Sequence, residues 1–132
     1  MKALTARISK LLTKGSTLVC NDNSGAKELM IIGVIGVRGV RSRYPSVVIG
    51  SIIITSVKKG NPNMIKKVVR ALVVRQKKEF RRASGTRIMF EDNAAVLITE
   101  DGLPVGTEIK GVVAREVSER FPKVAAIAPG VI

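Results

Sequence analysis

The stretch "IGSIIITSVKK", residues 49–59, is rich in β-branched residues and is followed at once by Gly60, Asn61 and Pro62. β-branched side chains fit the pleated, half-buried surface of a sheet, and a Gly-Asn-Pro sequence ends such a run. We therefore predict a β-strand over 49–59.

Similar short runs lie on both sides of this strand. We predict strands at "TLVC" (17–20), "ELMIIGVIGV" (28–37) and "VVRALVVRQ" (68–76). A turn is expected in "NDNSG", because Asn and Asp side chains bond their own backbone and Gly25 accepts a positive φ. Two later runs, "TRIMFE" (86–91) and "AAVLIT" (94–99), are predicted to pair with each other through a bend at Asp92-Asn93.

This succession of short strands and turns indicates a mainly β protein, a small closed or nearly closed β-barrel. The length of 132 residues is that of one domain. We divide that domain into an N-terminal extension (1–15), a barrel with basic hairpins (16–99) and a C-terminal loop and helical region (100–132).

The two ends of the chain have different patterns. Leu4, Ile8, Leu11 and Leu12 recur at helical spacing, which predicts a short helix that Gly15 ends. Near the other end, "VVAREVSERF" (112–121) also has helical periodicity, and Pro122 limits its continuation. For residues 123–132 both an extended chain and a short helix remain open.

Charge is the strongest functional signal. The net charge is +13, and residues 1–90 contain nineteen Lys or Arg against three acids, whereas residues 91–132 contain four against seven. Such an excess destabilises a compact protein by self-repulsion unless a polyanion neutralises it. The first two thirds of the chain therefore predict a polyanionic partner.

Three clusters of basic residues lie at predicted strand ends and in the loops beyond them. They are Arg38, Arg41 and Arg43; Lys58, Lys59, Lys66, Lys67 and Arg70; and Arg75, Lys77, Lys78, Arg81, Arg82 and Arg87. We predict that they form one broad cationic surface, with the last six projecting together from a hairpin. The alternative is that each cluster is only a solvated face.

The aromatic content favours one kind of nucleic-acid binding over another. The chain has no Trp and only Tyr44, Phe80, Phe90 and Phe121, whereas proteins that bind single strands stack bases on aromatic side chains. Arg and Lys without aromatics suit the backbone and shape of folded RNA. We therefore expect RNA binding through phosphate contacts.

Little in the sequence indicates catalysis, a metal or a cofactor. There is no histidine, and the single Cys20 ends an apolar strand, which is typical of a buried structural thiol. The acidic pairs Glu91-Asp92 and Glu100-Asp101 are expected to be solvated or paired with cations. No apolar run is long enough to span a bilayer and no secretory signal is present, so an intracellular protein without membrane contact is expected.

Three motifs resemble one protein family. "CNDNSGAKELMIIGV" (20–34), "ALVVRQKKEFRRASGTRIMFEDNAAVL" (71–97) and "PVGTEIKGVVAREV" (104–117) are similar, in this order, to the universal large-subunit ribosomal protein number fourteen. The similarity covers about residues 16–132, and its details look like the archaeal and eukaryotic branch. Two positions depart from the family pattern: Val112 stands where proline is usual and Ser84 where Asp or Asn is common.

The resemblance implies a five-stranded barrel with a projecting β-ribbon and a short C-terminal helical region. It further implies a structural, non-enzymatic component of the cytoplasmic large ribosomal subunit, bound to large-subunit rRNA and placed at the intersubunit face. The rival interpretation is a free barrel-type RNA chaperone or nucleic-acid-binding module that acts transiently.

The resemblance also implies further partners. These are small-subunit rRNA at intersubunit bridges, neighbouring ribosomal proteins numbers three and twenty-four of the archaeal and eukaryotic type, and the anti-association factor. The residues expected to face them are Asn61, Pro62, Asn63, Met64, Arg115, Glu116, Ala125, Ala126, Ile127 and Ala128.

Overall fold

The computed structural model describes residues 1–132 and contains nine β-strands and two short α-helices. The elements are β1 (Leu12–Thr13), β2 (Thr17–Cys20), β3 (Ala26–Val34), β4 (Ser46–Val47), β5 (Ile52–Gly60), β6 (Val68–Arg75), β7 (Phe80–Arg81), β8 (Arg87–Ile88), β9 (Ala94–Leu97), α1 (Arg115–Arg120) and α2 (Pro122–Ala126).

Five strands close into a barrel in the order β2-β3-β5-β6-β9. Neighbours along this order are antiparallel, and the barrel closes where β9 lies parallel to β2, with Val19 opposite Ala94 and Cys20 opposite Ala95. Closure leaves no exposed sheet edge. The predicted five-stranded barrel is confirmed, with β-strands over all four of the runs from 17 to 76, shifted by a few residues at their ends.

The core has two parts because β6 and β9 are buried on both faces. Ala71 and Val73 point into the barrel, while the alternate residues Leu72 and Val74 point outward. The C-terminal region covers this outer face with side chains that include Val117 of α1 and Val124 of α2, which are fully buried. This second core explains why β6 is a nearly continuous apolar run.

The antiparallel order fixes which loops leave from which end of the barrel. At one end, here called the ribbon end, β3 and β6 finish and β5 begins, so residues 35–51 and 76–93 leave from it. At the opposite end, the turn end, β2 and β5 finish, so residues 21–25 and 61–67 leave there. The nine residues of β5 separate the ends by about 30 Å along the strand.

Two glycines allow a close backbone approach at the turn end. A Cβ on Gly60 would lie 2.5 Å from the carbonyl oxygen of Gly25, and Gly25 itself has φ +100°. The N–H of Asn61 donates to that same carbonyl at 2.9 Å. The predicted turn at 21–25 is confirmed, and it packs directly against the start of the 61–67 loop.

The predicted N-terminal helix is wrong. Leu12 and Thr13 instead pair with Val47 and Ser46, and Arg7 forms an isolated antiparallel bridge with Arg81. The apolar residues that suggested one helix face pack in two different places: Ile8 lies on the second core and Leu12 in the barrel core. Backbone partners on neighbouring segments outweigh the weak local propensity of a short segment.

The predicted pairing of 86–91 with 94–99 is also wrong. Arg87–Ile88 pairs with Phe80–Arg81, whereas Ala94–Leu97 joins the barrel. Asn93 causes this separation, since its side-chain oxygen accepts the N–H of Lys77 and its carbonyl accepts the N–H of Val19. The bend at 92–93 is therefore a junction between two sheets and not the tip of a hairpin.

The predicted C-terminal helix is confirmed in part. It is restricted to Arg115–Arg120, and Pro122 ends it but then occupies the first position of α2, where a missing N–H costs nothing. The choice left open for residues 123–132 is resolved as a short helix to Ala126, followed by a turn at 127–129 and a bridge between Val131 and Val113.

Candidate nucleic-acid interface

Most cations of residues 1–90 are exposed and have no acidic partner. Five of the nineteen form ion pairs, which leaves fourteen without a carboxylate oxygen within 4.0 Å. All fourteen are exposed: Lys2, Arg7, Lys10, Lys14, Lys27, Arg38, Arg41, Arg43, Lys58, Lys66, Lys67, Lys77, Arg81 and Arg87. An uncompensated group of this size is the electrostatic footprint of a polyanion-binding protein.

The ribbon end holds two of the predicted clusters. The loop with Arg38, Arg41 and Arg43 leaves the barrel there, as does the basic ribbon, which we define as residues 77–88 with its β7–β8 hairpin. Arg41 and Ser42 have φ values of 56° and 59°, a left-handed backbone that non-glycine residues seldom adopt. This conformation turns the chain sharply at the loop tip.

Tyr44 follows this loop tip and is 77% exposed. The other three aromatic rings are not free in this way, since Phe80 is buried and Phe90 and Phe121 are half-buried against the second core. Sequence reasoning counted the aromatics correctly but did not single out Tyr44. Its position among three exposed arginines was the available signal.

Arg75 does not project from the barrel, contrary to the sequence-based expectation. It is only 7% exposed, and its guanidinium forms a two-point ion pair with Asp92, with N···O distances of 2.8 and 3.0 Å. The remaining nitrogen donates to the carbonyls of Lys110 and Val112 at 3.3 and 2.8 Å. Arg75 therefore joins the barrel to the C-terminal region, and none of its nitrogens is left for a phosphate.

Arg82 is likewise turned inward. Its side chain is 10% exposed and pairs with Glu116 through Nε–Oε1 at 3.0 Å and Nη2–Oε2 at 3.3 Å. Nη2 also donates to the carbonyl of Ile132, and the guanidinium lies 5.7 Å from the centre of the Phe80 ring. The expectation that all six cations of 75–87 project together is thus wrong for Arg75 and Arg82 and holds for Lys77, Lys78, Arg81 and Arg87, which are exposed.

The third cluster lies at the turn end, so the predicted single surface is divided in two. Lys58, Lys66 and Lys67 are exposed and unpaired there, whereas Lys59 pairs with Glu28 at 3.1 Å. Arg70 lies further along β6 and pairs loosely with an exposed Glu100 at 3.7 Å. Both of these pairs are open to solvent and contribute little to stability.

Within the 61–67 loop, Asn61, Pro62 and Asn63 are exposed, while Met64 is half-buried and packs on the barrel core. Lys66 takes a left-handed φ of 68°, and its N–H donates to the carbonyl of Val57 at 2.9 Å. The loop is therefore folded back on β5 and held in a defined shape.

The C-terminal residues predicted to face proteins differ in exposure. Arg115 and Ala126 are exposed. Glu116 is 1% exposed and its carboxylate is paired with Arg82, so it forms no part of an outer surface. The remaining three, Ala125, Ile127 and Ala128, are half-buried against the second core.

Several acids of the last third have internal partners. Asp92, Glu100 and Glu116 pair with arginines, and Glu119 accepts from the hydroxyl of Thr5 at 3.0 Å. The expectation that Asp92 and Glu100 pair with cations is confirmed, whereas Glu91 and Asp101 are exposed to solvent. The acidic segment thus contributes less outward negative charge than its composition indicates.

Cys20 is buried, as predicted. Burial, followed by the negative charge of Asp22, raises the pKa of the thiol to about 12, so it stays protonated at neutral pH. Asp22 is itself structural, because it accepts the backbone N–H groups of Ser24 and Leu97 at 3.1 and 2.9 Å. No three His, Cys, Asp or Glu side chains converge as a metal site would require, and neither helix has the length to cross a membrane.

Sequence reasoning missed the basic residues of the N-terminal segment. Arg7, Lys10 and Lys14 fall within the segment predicted to be a short helix and were not named as RNA-binding candidates, but the segment lies along the ribbon end and brings Arg7 beside Arg81. Lys27, on β3, was also not singled out. For the three N-terminal cations, the absence of any acidic residue before Asp22 was the available signal.

Comparisons with known proteins give one consistent result. A family model described as "Ribosomal protein L14p/L23e" matches residues 11–132. The chain is 53% identical over 132 residues to "Large ribosomal subunit protein uL14" of Methanocorpusculum labreanum, with 100% of both chains covered. It is 51% identical over 128 residues to proteins of the same name from Methanococcus vannielii and Methanoregula boonei, with 97% of each chain covered.

Proposed function

Since the chain belongs to the ribosomal protein L14p/L23e family, we propose that it is a structural constituent of the archaeal-type large ribosomal subunit in the cytoplasm. In this role it binds large-subunit rRNA and contributes to the intersubunit face and its bridges. It works by binding and positioning RNA and neighbouring proteins, without catalysis.

The observation that carries the RNA part of this proposal is the set of fourteen exposed, unpaired cations. Phosphates neutralise such charges and release condensed counterions, which makes binding strong and dependent on salt. Because the basic groups occupy two opposite ends of the barrel, one small body can contact two RNA segments.

The proposed RNA contacts are the predicted basic residues that the fold leaves accessible. They are Arg38, Arg41, Arg43, Lys58, Lys59, Lys66, Lys67, Arg70, Lys77, Lys78, Arg81 and Arg87. Arg75 and Arg82 instead support these contacts indirectly. Arg75 bonds the C-terminal region through the carbonyls of Lys110 and Val112, and Arg82 ties the basic ribbon to it through the ion pair with Glu116.

We assign the intersubunit contacts to the turn end and the C-terminal region. The exposed Asn61, Pro62 and Asn63, together with Met64, would approach small-subunit rRNA at a bridge, and Ala125 to Ala128 would lie near another. Arg115 and Ala126, the exposed members of the predicted C-terminal set, would face proteins, with ribosomal proteins numbers three and twenty-four and the anti-association factor as the expected partners. The backbone hydrogen bonds between Val57 and the 61–67 loop support this assignment because a bridge needs a defined shape.

The test is sedimentation of lysate from a methanogenic archaeon that expresses the tagged chain. We expect co-sedimentation with large subunits through a sucrose gradient at physiological salt. Recovery only in the soluble fraction would refute the proposal. A free RNA chaperone would instead dissociate in moderate salt and bind generic single strands as tightly as folded rRNA, which a parallel binding assay measures.

A further inference from the structure

Three arginines lie side by side across adjacent strands at the ribbon end. Arg81 of β7 is directly opposite Arg87 of β8, and on its other side it forms an antiparallel bridge with Arg7. Residues that are directly opposite share one face of a sheet. We call Arg7, Arg81 and Arg87 the arginine row.

The arginine row is unfavourable in the free protein. Like charges directly opposite each other on a sheet are destabilising, and no carboxylate oxygen lies within ion-pair distance of any of the three. The row lines an open groove of about 670 Å³, which also includes the hydroxyl side chains of Thr5 and Ser9. The hydroxyl of Thr5 already donates to Glu119, so the groove presents guanidinium donors and the hydroxyl of Ser9, a set that suits an anion.

The N-terminal segment is held in place by other contacts. Nε of Arg120 donates to the carbonyl of Lys2 at 2.6 Å, Thr5 bonds Glu119, and the fully buried Gln76 donates to the carbonyl of Ser9 at 3.0 Å. These three contacts lie on both sides of Arg7 and do not involve its side chain. Arg7 is thus presented beside the ribbon by a docked backbone.

We propose that the arginine row is a binding site for consecutive phosphates of one RNA strand, completed by a segment that lies outside the matched family region of residues 11–132. The inference rests on the proposed function and deepens it. The basic ribbon supplies two of the three cations, and the extension supplies the third together with the hydroxyl of Ser9.

The dimensions and the side-chain type favour a phosphodiester backbone. Neighbouring strands are about 4.8 Å apart, so three positions span about 10 Å. Each strand of duplex DNA carries a phosphate about every 3.4 Å of helix axis, so a row of this length is long enough to meet more than one phosphate of a nucleic-acid strand. Guanidinium groups bind phosphate through two parallel hydrogen bonds, which favours Arg over Lys at such positions.

The experiment measures binding of the full chain to a large-subunit rRNA transcript of Methanocorpusculum labreanum as a function of KCl concentration. We compare wild type with Arg7→Gln and with the triple variant Arg7→Gln/Arg81→Gln/Arg87→Gln. Arg7→Gln should reduce the slope of log K against log[KCl] by about 0.7–0.9, and the triple variant by about 2–3. Lys123→Gln, an exposed cation of α2, is the matched control and should leave the slope unchanged.

Thermal unfolding without RNA separates binding from a structural role. Because Arg7→Gln removes repulsion from the arginine row, the free variant should melt at the same temperature as wild type or higher. A lower melting temperature with an unchanged salt slope would mean that Arg7 is structural, and the inference would be overturned.

The outcomes also distinguish the inference from the proposed function. Tight, salt-dependent binding by wild type, with Arg7→Gln behaving like Lys123→Gln, would overturn the arginine row alone. Failure of wild type to bind the transcript would overturn both. Polyglutamate serves as a competitor: displacement of the RNA that requires the same arginines would assign the row to an acidic polypeptide and overturn the assignment to RNA.

Discussion

Arg81 and Arg82 are adjacent in sequence, yet the structure predicts opposite consequences when each is replaced by Gln. Arg81 is exposed on the basic ribbon with no acidic partner, whereas the side chain of Arg82 is 10% exposed and paired with Glu116. Arg82→Gln should therefore mainly lower stability, and Arg81→Gln should mainly weaken RNA binding.

The loss of stability expected for Arg82→Gln follows from the buried carboxylate of Glu116, which would be left without its partner. The carboxylate of Glu116 is 1% exposed and receives both of its side-chain donors from Arg82. Removing one partner of a buried ion pair costs about 3–5 kcal/mol, since the other charge stays desolvated and unpaired. Arg81→Gln should change the free energy of unfolding by less than about 0.5 kcal/mol, as for other surface positions.

The assay is urea-induced unfolding of both variants followed by circular dichroism, combined with the salt dependence of rRNA binding. Arg81→Gln should reduce the slope of log K against log[salt] by about 0.7–0.9, whereas Arg82→Gln should leave the slope of the folded protein unchanged. The double variant Arg82→Met/Glu116→Leu removes both charges and should recover most of the lost stability.

Two results would refute this reasoning. One is an Arg82→Gln protein as stable as wild type, which would mean that Glu116 finds another partner or is protonated at little cost. The other is a salt slope that falls as much for Arg82→Gln as for Arg81→Gln while the fold is intact. That result would place Arg82 on the RNA, as its sequence neighbourhood alone had predicted.

Three further predictions concern single positions. Gly25→Ala should lower the free energy of unfolding by about 1–3 kcal/mol and expose the 61–67 loop to proteases. The reason is that a Cβ at φ +100° would lie 2.7 Å from Nδ2 of Asn61. Stability and cleavage equal to wild type would contradict this prediction. Burial raises the pKa of Cys20 from 9.0 to about 12, so its stabilising effect is complete below about pH 9 and is lost as pH rises. Between about pH 8 and about pH 10.5 the free energy of unfolding of wild type, measured by denaturant titration, should fall by about 2 kcal/mol more than that of Cys20→Ala. Parallel pH profiles of the two proteins would contradict this prediction. Tyr44→Ala should weaken rRNA binding by about 1–3 kcal/mol through loss of base stacking while the salt slope stays constant, and unchanged affinity in the same titration would show that the ring contacts no base.

Much of the barrel could be predicted from sequence because its signals are local. β-branched runs separated by Gly, Asn and Pro marked the strands from Thr17 to Arg75, and the 21–25 turn followed from its Asx residues and Gly25. The prediction of an N-terminal helix was wrong because it rested on local spacing alone. Ile8 and Leu12 had helical spacing, but their partners are strands and core residues far away in sequence, which no local pattern encodes.

The candidate interface could likewise be predicted only in part from the sequence. Charge composition predicted a polyanion-binding protein with three basic clusters, and most of the cations in those clusters are exposed. It could not tell Arg82 from Arg81, because the ion pair that distinguishes them joins positions 34 residues apart. Nor could it place Arg7 beside Arg81, since that neighbour belongs to another strand.

Local residue patterns were enough to predict the strands, the excess of positive charge and the family resemblance. Tertiary structure alone decided that the barrel closes through the parallel pairing of β9 with β2, that the basic clusters lie at opposite ends, and which arginines are buried in ion pairs. The physical reason is range: turn chemistry and side-chain periodicity act within a few residues, whereas charge pairing and burial depend on residues that only the folded chain brings together.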